Sequence, residues 1–188
     1  MALFGRGMPA LGLAVAEQAL ARMPRFGGER QTYMLGRLAE AYARTGQFDR
    51  AWQTIIEARS TSERTAEHSW DAELHRIAGG ILLAKGADAG EVEAQFRPAI
   101  DTARLQEAKS LELRGALSLA RLLIGQGKSA EARDLLTPIY TWFTEGFETA
   151  DLREAHTVLA KLGVTPVNST FGPIGERRRH AMQSVAIH

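Results

Sequence analysis

Three glycines, Gly46, Gly86 and Gly127, recur at intervals of 40 and 41 residues, and this spacing constrains the fold more than any other feature of the chain. A period of this size belongs to repeat architectures, in which each unit buries its apolar face against its neighbours. Each glycine closes one Ala/Leu-rich stretch and precedes another, as in LGRLAEAYARTGQFDRAWQTIIEA, HRIAGGILLAKGADAGEVEAQFRPAI and LRGALSLARLLIGQGKSAEARDLLTPIY. Glycine suits the left-handed residue that ends a helix, so each unit reads as two antiparallel helices joined by a tight turn. Composition agrees. The 30 alanines and 21 leucines favour helix, whereas 15 valines and isoleucines together are too few for a parallel-sheet core. Asp88 followed by Glu91 forms a capping-box pattern, and Ser69, Ser110 and Ser129 are expected to cap helices beginning just after them.

Within the units, equivalent positions alternate in size. Seven residues before each turn glycine stands a small residue (Ala39, Gly79, Ala120), and four before it a large one (Tyr42, Leu82, Leu123). In the second helices Ala51, Val92 and Ala132 correspond, followed by Ile55, Phe96 and Leu136. Small residues let paired helices approach while large ones fill the gap beside them. The expected fold is all-α, with helix pairs stacked into a solenoid.

On Leu38, Ala39, Tyr42, Gly46, Phe48, Ala51 and Ala58 the first unit resembles the tetratricopeptide repeat (TPR). The second and third units are degenerate, with His75 and Ala116 where that pattern often has an aromatic. The resemblance implies a right-handed superhelix. It also gives a domain plan: residues 1–30 as the second helix of a partial leading repeat, on Gly7, Gly12, Ala16 and Ala19; residues 31–162 as three helix pairs plus a capping helix from about 150; residues 163–188 as a flexible basic tail. The blocks WDAELHR, FRPAI, AKSLELRGALSLARLL and especially PIYTWFTEGFETADLREA are similar to the C-terminal TPR region of bacterial proteins that join a class III adenylate/guanylate cyclase domain, or a transcriptional-regulator DNA-binding domain, to an AAA-type ATPase module. This implies a non-catalytic interaction part of a signalling or transcriptional regulator, with the catalytic modules lying before residue 1 and this chain a detached or truncated tail. The other modules of such a regulator are then expected partners.

Chemistry within the chain is sparse. There is no cysteine, which removes thiol catalysis, Cys-ligated zinc and disulfides. A net charge of +1 provides no broad field to attract nucleic acid or anionic lipid. No stretch reads as a membrane span, and cytoplasmic residence is expected. GQGKS at 125–129 ends like a phosphate-binding loop, but Leu122 stands where the pattern needs glycine and a helix is expected where it needs a strand. His68, Asp71 and His75 have helical spacing yet offer only three ligand candidates. No carboxylate pair is singled out for acid/base work, so no catalytic residue, metal or cofactor is expected. Pro98 and Pro138 occupy matching places in successive second helices, predicting kinks that free the carbonyls of Ala94 and Asp134.

The TPR resemblance implies that first helices line a concave groove, and its register points Tyr33, Glu40, Arg44, Glu73, Arg76, Leu83, Arg114, Leu117, Arg121 and Ile124 into it. Four arginines against two glutamates would suit a peptide with acidic groups. The asparagines of the chaperone-binding carboxylate clamp are not on these positions. Tyr140, Trp142, Phe143 and Phe147 are expected to pack the last pair against the capping helix for the most part. The run Arg177, Arg178, Arg179, His180 is a short basic cluster in the tail. Rival readings are a nucleotide-binding or enzymatic subunit on a helical scaffold, and a nonfunctional gene remnant. The oligomeric state stays open, because an unpaired half repeat could pair with another copy.

Overall fold

The structure, a computed structural model, describes residues 13–15, 17, 18 and 28–164. Most of the leading half repeat and of the tail, with Arg177–Arg179, therefore lies outside the described residues. Those described form helices and turns with no strand. The bounded helices are α1 (Gly28–Arg44), α2 (Phe48–Thr65), α3 (Asp71–Lys85), α4 (Ala89–Leu105), α5 (Lys109–Gly125), α6 (Ser129–Thr141) and α7 (Ala150–Lys161). The fold is all-α, and no helix among the described residues is long and apolar enough to cross a membrane.

The turns explain the period. Gly46, Gly86 and Gly127 have φ of 75°, 81° and 78°, so the left-handed residue stands where the spacing placed it. Each lets the next N–H reach back five residues: Gln47 to the Tyr42 carbonyl (2.9 Å), Ala87 to Leu82 (3.0 Å) and Lys128 to Leu123 (2.9 Å). This bond satisfies a carbonyl that the helix end would leave open. The turns between pairs do the same with Ala66 (φ 54°) and Glu107 (φ 55°), where Glu67 bonds Ser62 and Ala108 bonds Ala103.

These turns also correct the expected caps. The residues before α3, α5 and α6 are Trp70, Ala108 and Lys128, none with a side-chain cap bond. Ser69 lies one residue too early, while Ser110 and Ser129 are already helical. Only Asp88 caps as expected, its Oδ1 accepting from the Gly90 N–H at 2.7 Å. The prolines stand within their helices, Pro98 in α4 and Pro138 in α6, as the sequence places them. The residues four before them, Ala94 and Asp134, are exposed, so the carbonyls that lose a donor lie on residues in contact with water.

The size alternation is borne out by burial. Ala39, Ala120, Ala51, Val92, Ala132, Ile55 and Leu136 are inaccessible, and Tyr42, Phe96 and Leu123 nearly so. One apolar cluster gathers Leu13 with α1, α2 and α3; the other gathers α4 to α7. Capping by α7 uses Leu152, Ala155 and Leu159, as the pattern required. Tyr140 is fully buried and Phe143 and Phe147 pack against the same core, but Trp142 remains 58% exposed. Consecutive helices touch throughout. In addition the backbones of α1 and α3, of α3 and α5, and of α5 and α7 lie side by side, whereas among the described residues no two of α2, α4 and α6 approach so closely, α2 and α4 meeting through the long side chains of Arg59 and Gln95.

Adjacent glycines in α3 behave oppositely. A Cβ at Gly79 would fall well inside van der Waals contact with the Phe96 ring, whereas one at Gly80 would meet none of the described residues within 4 Å. Gly79→Ala should therefore cost about 1–3 kcal/mol through overpacking. Gly80→Ala should stabilise by about 0.5–1 kcal/mol by removing glycine's backbone freedom from a helix interior. Urea unfolding of the two variants checks the opposite signs.

Candidate functional site

The expected groove residues fall on α1, α3 and α5, the helices that touch one another. The repeat interval sets their neighbours: Glu73 and Arg114 occupy equivalent positions, as do Glu40, Gly80 and Arg121, and likewise Leu83 and Ile124. Because α3 contacts both α1 and α5, side chains one repeat apart can meet.

They meet as ion pairs. The Glu73 side chain is only 5% exposed, and Arg76 of the same helix donates to both its oxygens, Nε to Oε2 and Nη2 to Oε1, each at 2.9 Å. Arg114 of α5 reaches Glu73 Oε1 from the other side at 2.8 Å. Arg76 also donates to Glu40 of α1 at 3.3 Å, and Glu40 takes Arg37 at 2.5 Å and Arg44 at 3.8 Å. The row continues into α7, where Asp151 lies 3.8 Å from Arg114 and Glu154 pairs with Arg121. Burial works against ionisation of Glu40, but the Arg37, Arg76 and Arg44 guanidiniums outweigh it and hold its carboxyl below the ordinary range. Burial likewise opposes the charge of Arg76, and Glu73 and Glu40 overcome it, so its pKa is raised.

This geometry corrects part of the expected surface. Glu73 is buried under two arginines rather than solvated, and Leu117 is a core residue, 3% exposed. Tyr33 is half-buried, its ring 4.7 Å from that of Trp70. Arg76, Arg114 and Arg121 are answered by carboxylates of the chain itself. Asp151 and Glu154, which supply two of them, lie on the capping helix and carry no groove signal in the repeat register. Leu83 (48%) and Ile124 (36%) are exposed as expected, and so is Arg44 (56%), whose carboxylate contact is the longest around Glu40.

Other polar groups serve the turns. Ser62 Oγ lies 2.5 Å from Asp71 Oδ1 and 3.3 Å from His68 Nδ1, and the same Nδ1 meets Asp71 Oδ2 at 2.8 Å. A nucleophilic triad needs serine and acid at opposite ring nitrogens. Here both share one, and Ser62 is buried. His75 faces elsewhere, its Nδ1 3.1 Å from Arg59, which also donates to Gln95 at 2.7 Å. Among the described residues no three His, Asp or Glu side chains gather as a metal site. GQGKS forms the end of α5, a turn and the start of α6, so no strand precedes it and Leu122 is a buried packing residue. Glu112, also buried, would be pushed up by burial, but Lys109 and Arg104 (each 2.8 Å) bring it below the ordinary range.

Comparison with known proteins finds no protein family whose signature the chain matches and no curated protein similar to it.

Two outcomes follow from these contacts. Removing Glu73 leaves Arg76 and Arg114 facing each other without their carboxylate, so Glu73→Ala should cost about 3 kcal/mol. Arg44→Ala, at an exposed position, should cost under about 1 kcal/mol; chemical denaturation separates the two. Burial, reinforced by the Arg59 guanidinium, depresses the His75 pKa against the opposing effects of Gln95 and Asp71. The unfolded chain then takes up the proton first as pH falls below about 6.5, and stability declines across that window. The carboxylate losses from Glu40 and Glu112 begin only near pH 4.5. Urea midpoints at pH 7.5 and 5.5 should therefore differ in the wild type and converge in His75→Gln.

Proposed function

We propose that this chain is a non-catalytic, TPR-like interaction module that takes a protein or peptide partner on the face formed by α1, α3 and α5. The observation that carries the reading is the pair Leu83 and Ile124, both large, apolar and exposed, at the same register position of neighbouring helices. Exposed apolar residues scattered singly have no special meaning, whereas repetition on one face is a feature of an interaction surface. The packing supports the same side. The backbones of α1, α3, α5 and α7 approach in succession more closely than those of α2, α4 and α6, as they would in a right-handed solenoid curved toward its first helices. In such a stack the first helices line the concave surface. Kinship with the repeat region of bacterial cyclase/ATPase-type regulators rests on the PIYTWFTEGF block and belongs to the same proposal.

Because most arginines on this face are already paired, the partner is held through apolar contact flanked by charge rather than through a row of free guanidiniums. Charge reversal at Arg76 would break the buried cluster and test folding instead of binding. The informative positions are the exposed ones. Photo-crosslinkers introduced as Leu83→benzoylphenylalanine and Ile124→benzoylphenylalanine should capture a partner from source-cell lysate, while Ile56→benzoylphenylalanine on α2, equally exposed (49%), should not. Leu83→Asp in the chain with the crosslinker at position 124, and Ile124→Asp in the chain with it at position 83, should each abolish capture with a stability change under about 0.5 kcal/mol. Capture at position 56 alone, or at none, would overturn the reading.

A further inference from the structure

Resting on that reading, we infer that the notch between α1 and α3 is a subsite for one aliphatic side chain of a bound peptide, with Arg44 receiving a carboxylate next to it. The notch has a volume of about 210 Å³. Its floor is Ile77 and Ile81, both buried, and its sides include Ala43 and Gly80. An apolar cavity of about 150 Å³ accepts a benzene molecule, so a leucine or isoleucine side chain fits here with room to spare.

Gly80 is what leaves it open. The equivalent positions in the neighbouring first helices carry Glu40 and Arg121, long side chains that lie across the face as ion pairs. At Gly80 the row is interrupted, and an added Cβ would meet none of the described residues within 4 Å. The charges at the mouth favour an anion. Glu40 is shared by three guanidiniums: Arg37 contacts it at 2.5 Å, Arg76 at 3.3 Å and Arg44 only at 3.8 Å. Arg76 is further occupied by Glu73. Arg44 is the most exposed of the three and has the weakest hold on Glu40, so its planar fork can turn to an incoming carboxylate at little cost.

The probe is the dipeptide N-acetyl-leucyl-glutamate amide, titrated into the full chain and followed by amide proton–nitrogen correlation spectra. Saturating shifts are expected at Ala43, Gly80 and neighbouring residues, with binding about tenfold weaker for the seryl-glutamate and leucyl-glutamine analogues. Gly80→Leu should abolish the shifts while leaving the melting temperature unchanged or raised, since the open space admits the side chain and leucine favours helix over glycine. Arg44→Glu should weaken the leucyl-glutamate ligand about tenfold and leave the leucyl-glutamine analogue unaffected. Shifts that survive Gly80→Leu, equal binding of the two leucyl ligands, or no shifts at all would overturn the subsite. Shifts at Gly80 on concentrating the protein alone would assign the notch to a second copy of the chain and overturn it too. If crosslinks at positions 83 and 124 persist when the dipeptide fails, the subsite falls and the interaction face stands. If the dipeptide binds and no crosslinks form, the reverse holds.

Discussion

The carboxylate of Glu73 is the constraint on which the first-helix face depends. A buried carboxylate is tolerated only when its charge is answered and its lone pairs are filled. Arg76 fills them from within α3 and Arg114 from α5, and Arg76 then carries the linkage to Glu40 on α1. One group of side chains therefore links α1, α3 and α5. The bidentate pair lies within α3, and the bridges to its neighbours are the single contacts Arg114–Glu73 and Arg76–Glu40, made beside the apolar clusters. Leu83 and Ile124, exposed at the same interval before their turn glycines, stand on two of the helices this group joins.

The repeat was legible because it is local chemistry. A left-handed residue must end each helix before the chain can turn back, glycine takes that conformation at the least cost, and so Gly46, Gly86 and Gly127 mark it in the sequence. The small and large positions are equally readable, since a residue that must fit between two helices is limited in size whatever its partner. Where the same conformation is taken by Ala66 and Glu107, the signal disappears, because residues with a Cβ can be forced into it by the Ser62 and Ala103 carbonyls behind them. The serine caps misled for the same reason: the turn geometry sets where α3, α5 and α6 begin, and Ser69, Ser110 and Ser129 fall to one side of that point.

The site was legible only by face. Register placed the arginines and glutamates on α1, α3 and α5, but it cannot say that Glu73 lies beneath its neighbours or that Asp151 and Glu154 arrive from α7. Ion pairing depends on the distance between helices, which the sequence of one helix does not contain. Leu117 shows the converse: it occupies the position of Arg76 one repeat later, yet the added layer from α7 covers that end of the stack and turns the position into core.

Gly79 and Gly80 together separate what the fold requires from what it does not. Each glycine in a helix interior costs about 1 kcal/mol relative to alanine. For Gly79 that cost is offset by the Phe96 ring, which packs where a Cβ would be and joins α3 to α4. Gly80 has no such compensation among the described residues, none of which lies within 4 Å of where its Cβ would be. Its neighbours by register, Glu40 and Arg121, show that a long side chain is sterically acceptable on this face. The space that Gly80 leaves is floored by Ile77 and Ile81 and overlooked by Arg44, which is where the subsite is proposed. At Gly80 the proposed subsite thus depends on a side chain that the chain lacks as well as on the groups that line the notch.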